Sequence, residues 1–137
     1  MDSEFIEEPD YLHCVITGTY DMQQAIEVWA NTIVKCRKTM QTRLLVDYRW
    51  MEGYPSGTER VIFTEESLDL HRQHLESGGE PIQVAFLGSP KVIGSFNPGL
   101  DIAKSRGFSA TITASPEEAI AFLVDSDQSD RQEPADP

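Results

Sequence analysis

The run from Pro81 to Gly88 constrains the fold more than any other stretch. Ile82, Val84, Ala85, Phe86 and Leu87 make it almost continuously apolar, yet it is too short for an ordinary helix. A strand with so little polar alternation needs cover on both faces. Sheets covered on both faces are built from parallel strands joined by helices. Leu44-Leu45-Val46, inside a strand expected over Thr42 to Tyr48, has the same character. The chain should therefore alternate strands and helices around one mostly parallel sheet.

The other segments fit this scheme. Residues 3–8 and Tyr11 to Thr19 read as two strands joined at the Pro9-Asp10 turn, an antiparallel hairpin that makes the sheet mixed. Asp21 to about Met40 is the clearest helix. Ala25, Val28, Trp29, Thr32, Ile33 and Cys36 form one stripe, Asp21 and Gln24 have capping-box spacing, and Trp29 is expected in the core. After a loop at Gly53 to Gly57, a helix begins near Thr58 and ends about Glu76, with a break expected around Thr64 to Ser67. Ser89 to Phe96 reads as a flexible connection, and Asn97-Pro98 as the N-cap and first residue of a short helix ending at Gly107. Phe108 to Thr113 is the last strand. Ser115-Pro116-Glu117-Glu118 opens the last helix. The expected architecture is a single α/β domain of about five strands and four helices over residues 1–124, in the order β-β-α-β-α-β-α-β-α. Residues 125–137, acidic and proline-bearing, read as a disordered tail.

Charge narrows the partners. The chain has 137 residues and a net charge of −12. Residues 1–10 contribute −5 and residues 125–137 contribute −4, so the body between them carries −3. Nucleic acid and anionic membranes both call for a basic face, and none is apparent. No apolar run approaches the ~20 residues that span a bilayer. A cytoplasmic protein is expected. Cys14 and Cys36 sit among apolar neighbours and are expected to be reduced, buried thiols.

Catalytic patterns are sparse. His71 and His74 lie three apart on a helix and read as surface or half-buried residues; a metal would need further ligands. His13 has no nucleophile nearby in sequence. Asp47 and Glu52 flank Arg49, and a cleft joining them to a histidine would argue for an enzyme. No phosphate-binding glycine pattern, Gly-x-Ser-x-Gly elbow or Cys-x-x-Cys occurs. No metal or cofactor is expected. Ser56 stands out. Ser56-Gly57-Thr58-Glu59 has capping-box spacing, and a hydroxyl at a helix start is placed to carry a phosphate or hold an anion beside free N–H groups.

With this element order and loop, the chain resembles the STAS domain of anti-sigma factor antagonists, in its SpoIIAA-like, STAS/SEC14-like branch. The resemblance spans about Phe5 to Val124. Its carriers are Val15-Ile16-Thr17-Gly18, Leu44-Leu45-Val46-Asp47, Val84-Ala85-Phe86-Leu87-Gly88 and the run from Ser115 to Leu123. The family places a phosphorylatable Ser before Gly at the start of the helix after the third strand, in an Asp-Ser-Ser-Gly-like motif. Pro55-Ser56-Gly57 occupies that place here, with Tyr54-Pro55 where the family has Asp-Ser.

The resemblance implies a non-enzymatic regulatory module whose partner is another protein. Its contact loop would comprise Tyr54, Pro55, Ser56, Gly57 and Arg60. Trp50 is expected to pack rather than to contact a partner. The alternative is a carrier or sensor of a lipid or other apolar small molecule, with a pocket near Phe63, Leu68, Phe96 and Leu100. A sizeable enclosed cavity there would favour the carrier, and a filled core the interaction module. A homodimer is compatible with either.

Overall fold

A computed structural model describes the backbone of residues 1–132 and the side chains of residues 1–124. Five strands form one sheet: β1 (Asp2–Glu7), β2 (Leu12–Thr19), β3 (Arg43–Glu52), β4 (Gln83–Leu87) and β5 (Ala110–Thr113). Four helices connect or follow them: α1 (Met22–Thr39), α2 (Gly57–Glu76), α3 (Pro90–Ser105) and α4 (Pro116–Gln132). The order is the expected one. Strands lie in the sequence β1-β2-β3-β4-β5, with β1 antiparallel to β2 and every other pair parallel. The tail expected over 125–137 falls on residues whose side chains lie outside those described.

The two faces of the sheet are covered unequally. Leu12, Cys14 and Ile16 of β2, Leu44, Val46 and Tyr48 of β3 and Val84 of β4 point to one side, where Trp29, Ile33 and Cys36 of α1 and Val92 of α3 meet them. On the other side, Leu45, Ala85 and Leu87 pack on Ala119 and Leu123 of α4. β4 thus contributes buried residues to both faces, as its unbroken apolar run requires.

Three expectations change. α3 starts at Pro90, not Asn97: Ser89 caps it by accepting the Val92 N–H at 3.4 Å, and Pro98 lies inside the helix. Ser89-Pro90 carries the same N-cap and N1-proline signal as Asn97-Pro98. Burial of Val92, Ser95 and Gly99 holds the extra two turns in spite of the proline. α2 runs unbroken through residues 64–67. β3 continues four residues past Tyr48 to Glu52, through a bulge: Val15 pairs with Asp47 and Thr17 with Trp50, so Tyr48 and Arg49 together oppose Ile16.

Candidate functional site

The loop between β3 and α2 is short and anchored. Gly53 adopts φ +80°, the left-handed region that favours glycine, and turns the chain out of β3. Pro55 is fully buried, and its carbonyl accepts the Ser95 hydroxyl of α3 at 3.1 Å. Ser56 caps α2. Its Oγ accepts the Glu59 N–H at 3.2 Å, and the Glu59 carboxylate accepts the Ser56 N–H at 3.1 Å, a complete capping box. Beyond Ser56 the helix start is open, for a Cβ added at Gly57 would meet nothing within 4 Å. Two turns on, α2 and α3 nearly touch: a Cβ at Gly99 would lie 2.4 Å from Thr64 Oγ1. The Ser95 bond and this close approach brace the loop against α3.

Around this braced start three apolar side chains are exposed. Tyr54 is 52% exposed, Val61 46% and Ile62 40%. Val61, Ile62 and Phe63 follow one another on a helix that turns ~100° per residue, so one face cannot take all three. Phe63 is buried against the sheet side, leaving the other two outside. Val61 and Ile62 were absent from the expected contact loop, although their adjacency to Phe63 was a readable signal. Ser95 had none, because its role depends on a contact forty residues away.

Phe63, Leu68, Phe96 and Leu100 come together, lining one cavity of about 60 Å³ with Phe86 and Phe108. Trp29 packs at its wall, as expected of a core residue, and its Nε1 donates to the Ser67 carbonyl at 3.1 Å. The space is small beside the ~300–1,000 Å³ of small-molecule pockets.

The histidines are structural ties rather than surface residues. His71 and His74 are both buried. His71 Nε2 accepts the Ile82 N–H at 3.1 Å, and His74 Nε2 lies 2.8 Å from the Glu80 carbonyl. Both contacts fasten the end of α2 to the approach to β4. Burial, with a smaller contribution from His74, lowers the His71 pKa below its ordinary 6.5, and the acceptor role of Nε2 requires a lone pair there. Among the described residues no group of three or more His, Cys, Asp or Glu is placed to hold a metal. Cys14 and Cys36 are free and buried, and burial lifts their thiols to about 11 and about 12. Such thiols are inert at neutral pH.

Asp47 and His13 do meet, which sequence distance hid. Asp47 is completely buried on β3. Its carboxylate accepts Nε and an amino group of Arg49 at 3.0 and 2.9 Å and the Arg49 backbone N–H at 3.1 Å, with His13 Nε2 at 3.2 Å. Burial is the largest single influence and would raise its pKa, but the bonds from Arg49 and His13, with the Arg49 charge, together lower it below its ordinary 3.8. A carboxylate so occupied is poorly placed to act as a base. Glu52 pairs with Thr19 in the sheet register, farther along β3, and is exposed. Trp50, expected to pack, is 55% exposed beyond the bulge.

No protein-family model matches the chain, and no curated protein matches its sequence. Solved structures do. An anti-sigma factor antagonist from Mycobacterium paratuberculosis superposes with a TM-score of 0.55 at 12% identity, covering 89% of this chain and 92% of that one. The anti-sigma factor antagonist SpoIIAA in its unphosphorylated form aligns over 87% of this chain and 94% of its own, at 15% identity and a TM-score of 0.40. No helix among the described residues is long and apolar enough to cross a membrane. Element order, sheet topology and the Mycobacterium superposition agree: the chain has the STAS-like fold found in anti-sigma factor antagonists.

Proposed function

We propose that this domain is a non-enzymatic regulatory module that binds another protein through the β3–α2 loop and the first two turns of α2. The observation that carries the reading is the exposure of Tyr54, Val61 and Ile62 around a braced loop. Exposed aromatic and aliphatic side chains on a rigid support are what a partner can desolvate at low entropic cost. The fold is that of a protein described as an anti-sigma factor antagonist, which supports a regulatory role. A cytoplasmic location accords with that role.

Ser56 is the position at which such binding would be switched. Its hydroxyl is exposed at a helix start, where free N–H groups and the dipole favour negative charge. A phosphate there would also face the Glu59 carboxylate, which now holds the Ser56 N–H. Phosphorylation would therefore push Glu59 aside and place a new double charge beside Tyr54, changing the contact surface without moving the fold. The carrier alternative is less favoured, because the cavity of about 60 Å³ is close to a filled core.

The test is photo-crosslinking from position 62 in the native cell, followed by affinity measurement with the purified partner. Ile62→Asp should weaken binding at least tenfold, and Ser56→Asp should change it. Equal affinity for wild type and Ile62→Asp would reject this surface. A lipid or apolar molecule retained in native mass spectrometry would favour the carrier.

A further inference from the structure

Among the described residues, the face of the sheet that α4 serves is only partly roofed. α4 packs on β3, β4 and β5, and the core on that face takes no described residue from β1 or β2. The register sets which residues share this open strip. Asp2 pairs with Thr17 and Thr17 with Trp50; one row on, Glu4 pairs with Val15 and Val15 with Asp47. Asp2, Glu4, Thr17 and Trp50 are exposed. At the end of the strip Glu52 pairs with Thr19, and both are exposed.

Trp50 is held, not loose. The bulge opposite Ile16 brings Arg49 and Trp50 together, and the Arg49 guanidinium sits 4.4 Å from the Trp50 ring centroid. Arg49 is itself fixed by two side-chain bonds to the buried Asp47, which His13 also contacts. A buried carboxylate, two strands and a bulge thus hold one indole half out of water. The positive charge of Arg49 is spent on Asp47, so the strip presents Trp50 among the free carboxylates of Asp2, Glu4 and Glu52. An exposed indole on a strip that also carries carboxylates is the recognition chemistry of a cation: the ring quadrupole attracts it, as it already attracts the Arg49 guanidinium, and the carboxylates neutralise it.

We propose that this strip is a second docking surface, for a basic segment of a partner protein that seats a Lys or Arg against Trp50. It lies on the opposite side of the sheet from α2 and does not depend on the reading of Ser56. Charge complementarity selects this occupant. An acidic segment or an anionic lipid surface would face Asp2, Glu4 and Glu52 directly, and a second copy would bring the same carboxylates against themselves.

The experiment titrates the full chain with a tetra-arginine peptide and, separately, a tetra-glutamate peptide, following backbone and indole N–H resonances. Saturable shifts at Asp2, Thr17 and the Trp50 indole with tetra-arginine alone are expected. Trp50→Ala should weaken that binding at least tenfold, with Trp50→Phe intermediate and Asp2→Asn/Glu4→Gln also weaker. Trp50 is exposed, so these variants should fold, and unchanged shifts elsewhere will show it. Shifts spread evenly over the acidic stretches 1–10 and 125–137, with affinity unchanged in Trp50→Ala, would reduce the effect to diffuse charge and overturn the proposal. So would shifts at the strip that follow protein concentration without peptide while the measured mass doubles, which would assign the surface to a second copy.

Discussion

The two faces of the sheet solve the same problem differently. On one, α1, α2 and α3 cover β2 to β5 side by side and brace one another, α2 touching both neighbours. Two buried polar side chains there bond to the backbone: Thr32 donates to the Val28 carbonyl and His71 accepts from the Ile82 N–H. On the other, among the described residues, α4 packs alone, burying Ala119 and Leu123 with Ile120 and Phe122 beside them, against Leu45, Ala85 and Leu87. Where α4 does not reach, the sheet keeps a buried carboxylate and an exposed tryptophan. The braced face gives stability, and the thinly covered one leaves room for surface chemistry.

The sharpest way to break the contrast is at α4. Leu123 is fully buried and has no second helix beside it to close the gap. Leu123→Ala should cost about 2–5 kcal/mol, near the top of that range because Leu123 is the largest buried side chain that α4 brings to this face among the described residues. Ile33→Ala, on the braced face, should fall lower in the same range. Urea unfolding of the two variants measures the difference, and equal costs would show that α4 is held by more than its stripe.

A smaller effect separates the polar groups of the two faces. Asp47→Asn removes a buried charge-assisted pair, but Arg49 can turn to water, so the cost at neutral pH should be about 1–3 kcal/mol. Its pH dependence carries the sign. Because the folded-state pKa of Asp47 is lowered, its contribution is complete above its ordinary value of 3.8 and is lost as pH falls through the folded value. Wild type and Asp47→Asn should therefore converge in stability as pH falls below 3.8. His71 acts earlier. Its folded-state pKa is also lowered, so below pH 6.5 the unfolded chain takes up the proton first and stability falls as pH drops. That slope should persist in Asp47→Asn and vanish in His71→Gln. Chemical denaturation between pH 2 and 8 separates the two.

Much of this was legible in the sequence, and the misses have physical causes. The unbroken run of β4 announced a central strand, and the stripe of α1 announced its buried face, because both signals are local. The start of α3 was misplaced because two Xaa-Pro signals compete within ten residues, and only packing of Val92 in the sheet core and the bond of Ser95 to the Pro55 carbonyl choose between them. Trp50 was expected inside because a strand ending at Tyr48 leaves the following tryptophan in a loop that must pack. The bulge that turns it outward depends on the register with β2, which is not a local property. Ser56 was readable as a cap because a capping box is written in four consecutive residues.

That cap gives the smallest and most discriminating effect. Ser56 and Ser115 have the same Ser-x-x-Glu spelling on helices that serve opposite faces. At Ser56 the box is reciprocal. At Ser115 only half forms: Ser115 Oγ accepts the Glu118 N–H, but the Glu118 carboxylate accepts the Thr113 hydroxyl, whose oxygen takes the Ser115 N–H. Alanine at either serine should cost about 1 kcal/mol. Glu59→Ala should cost a few tenths more than Thr58→Ala, through loss of the returning bond. Aspartate is as good an N-cap as serine, so Ser56→Asp should leave stability within about 0.5 kcal/mol of wild type. This separates folding from regulation at one residue. A change in partner affinity in Ser56→Asp without a change in the urea midpoint would report charge at the contact surface. A Ser56→Asp protein that lost stability as Ser56→Ala does would mean that Glu59 repels the new carboxylate strongly enough to undo the cap, and the switch would then act by fraying α2.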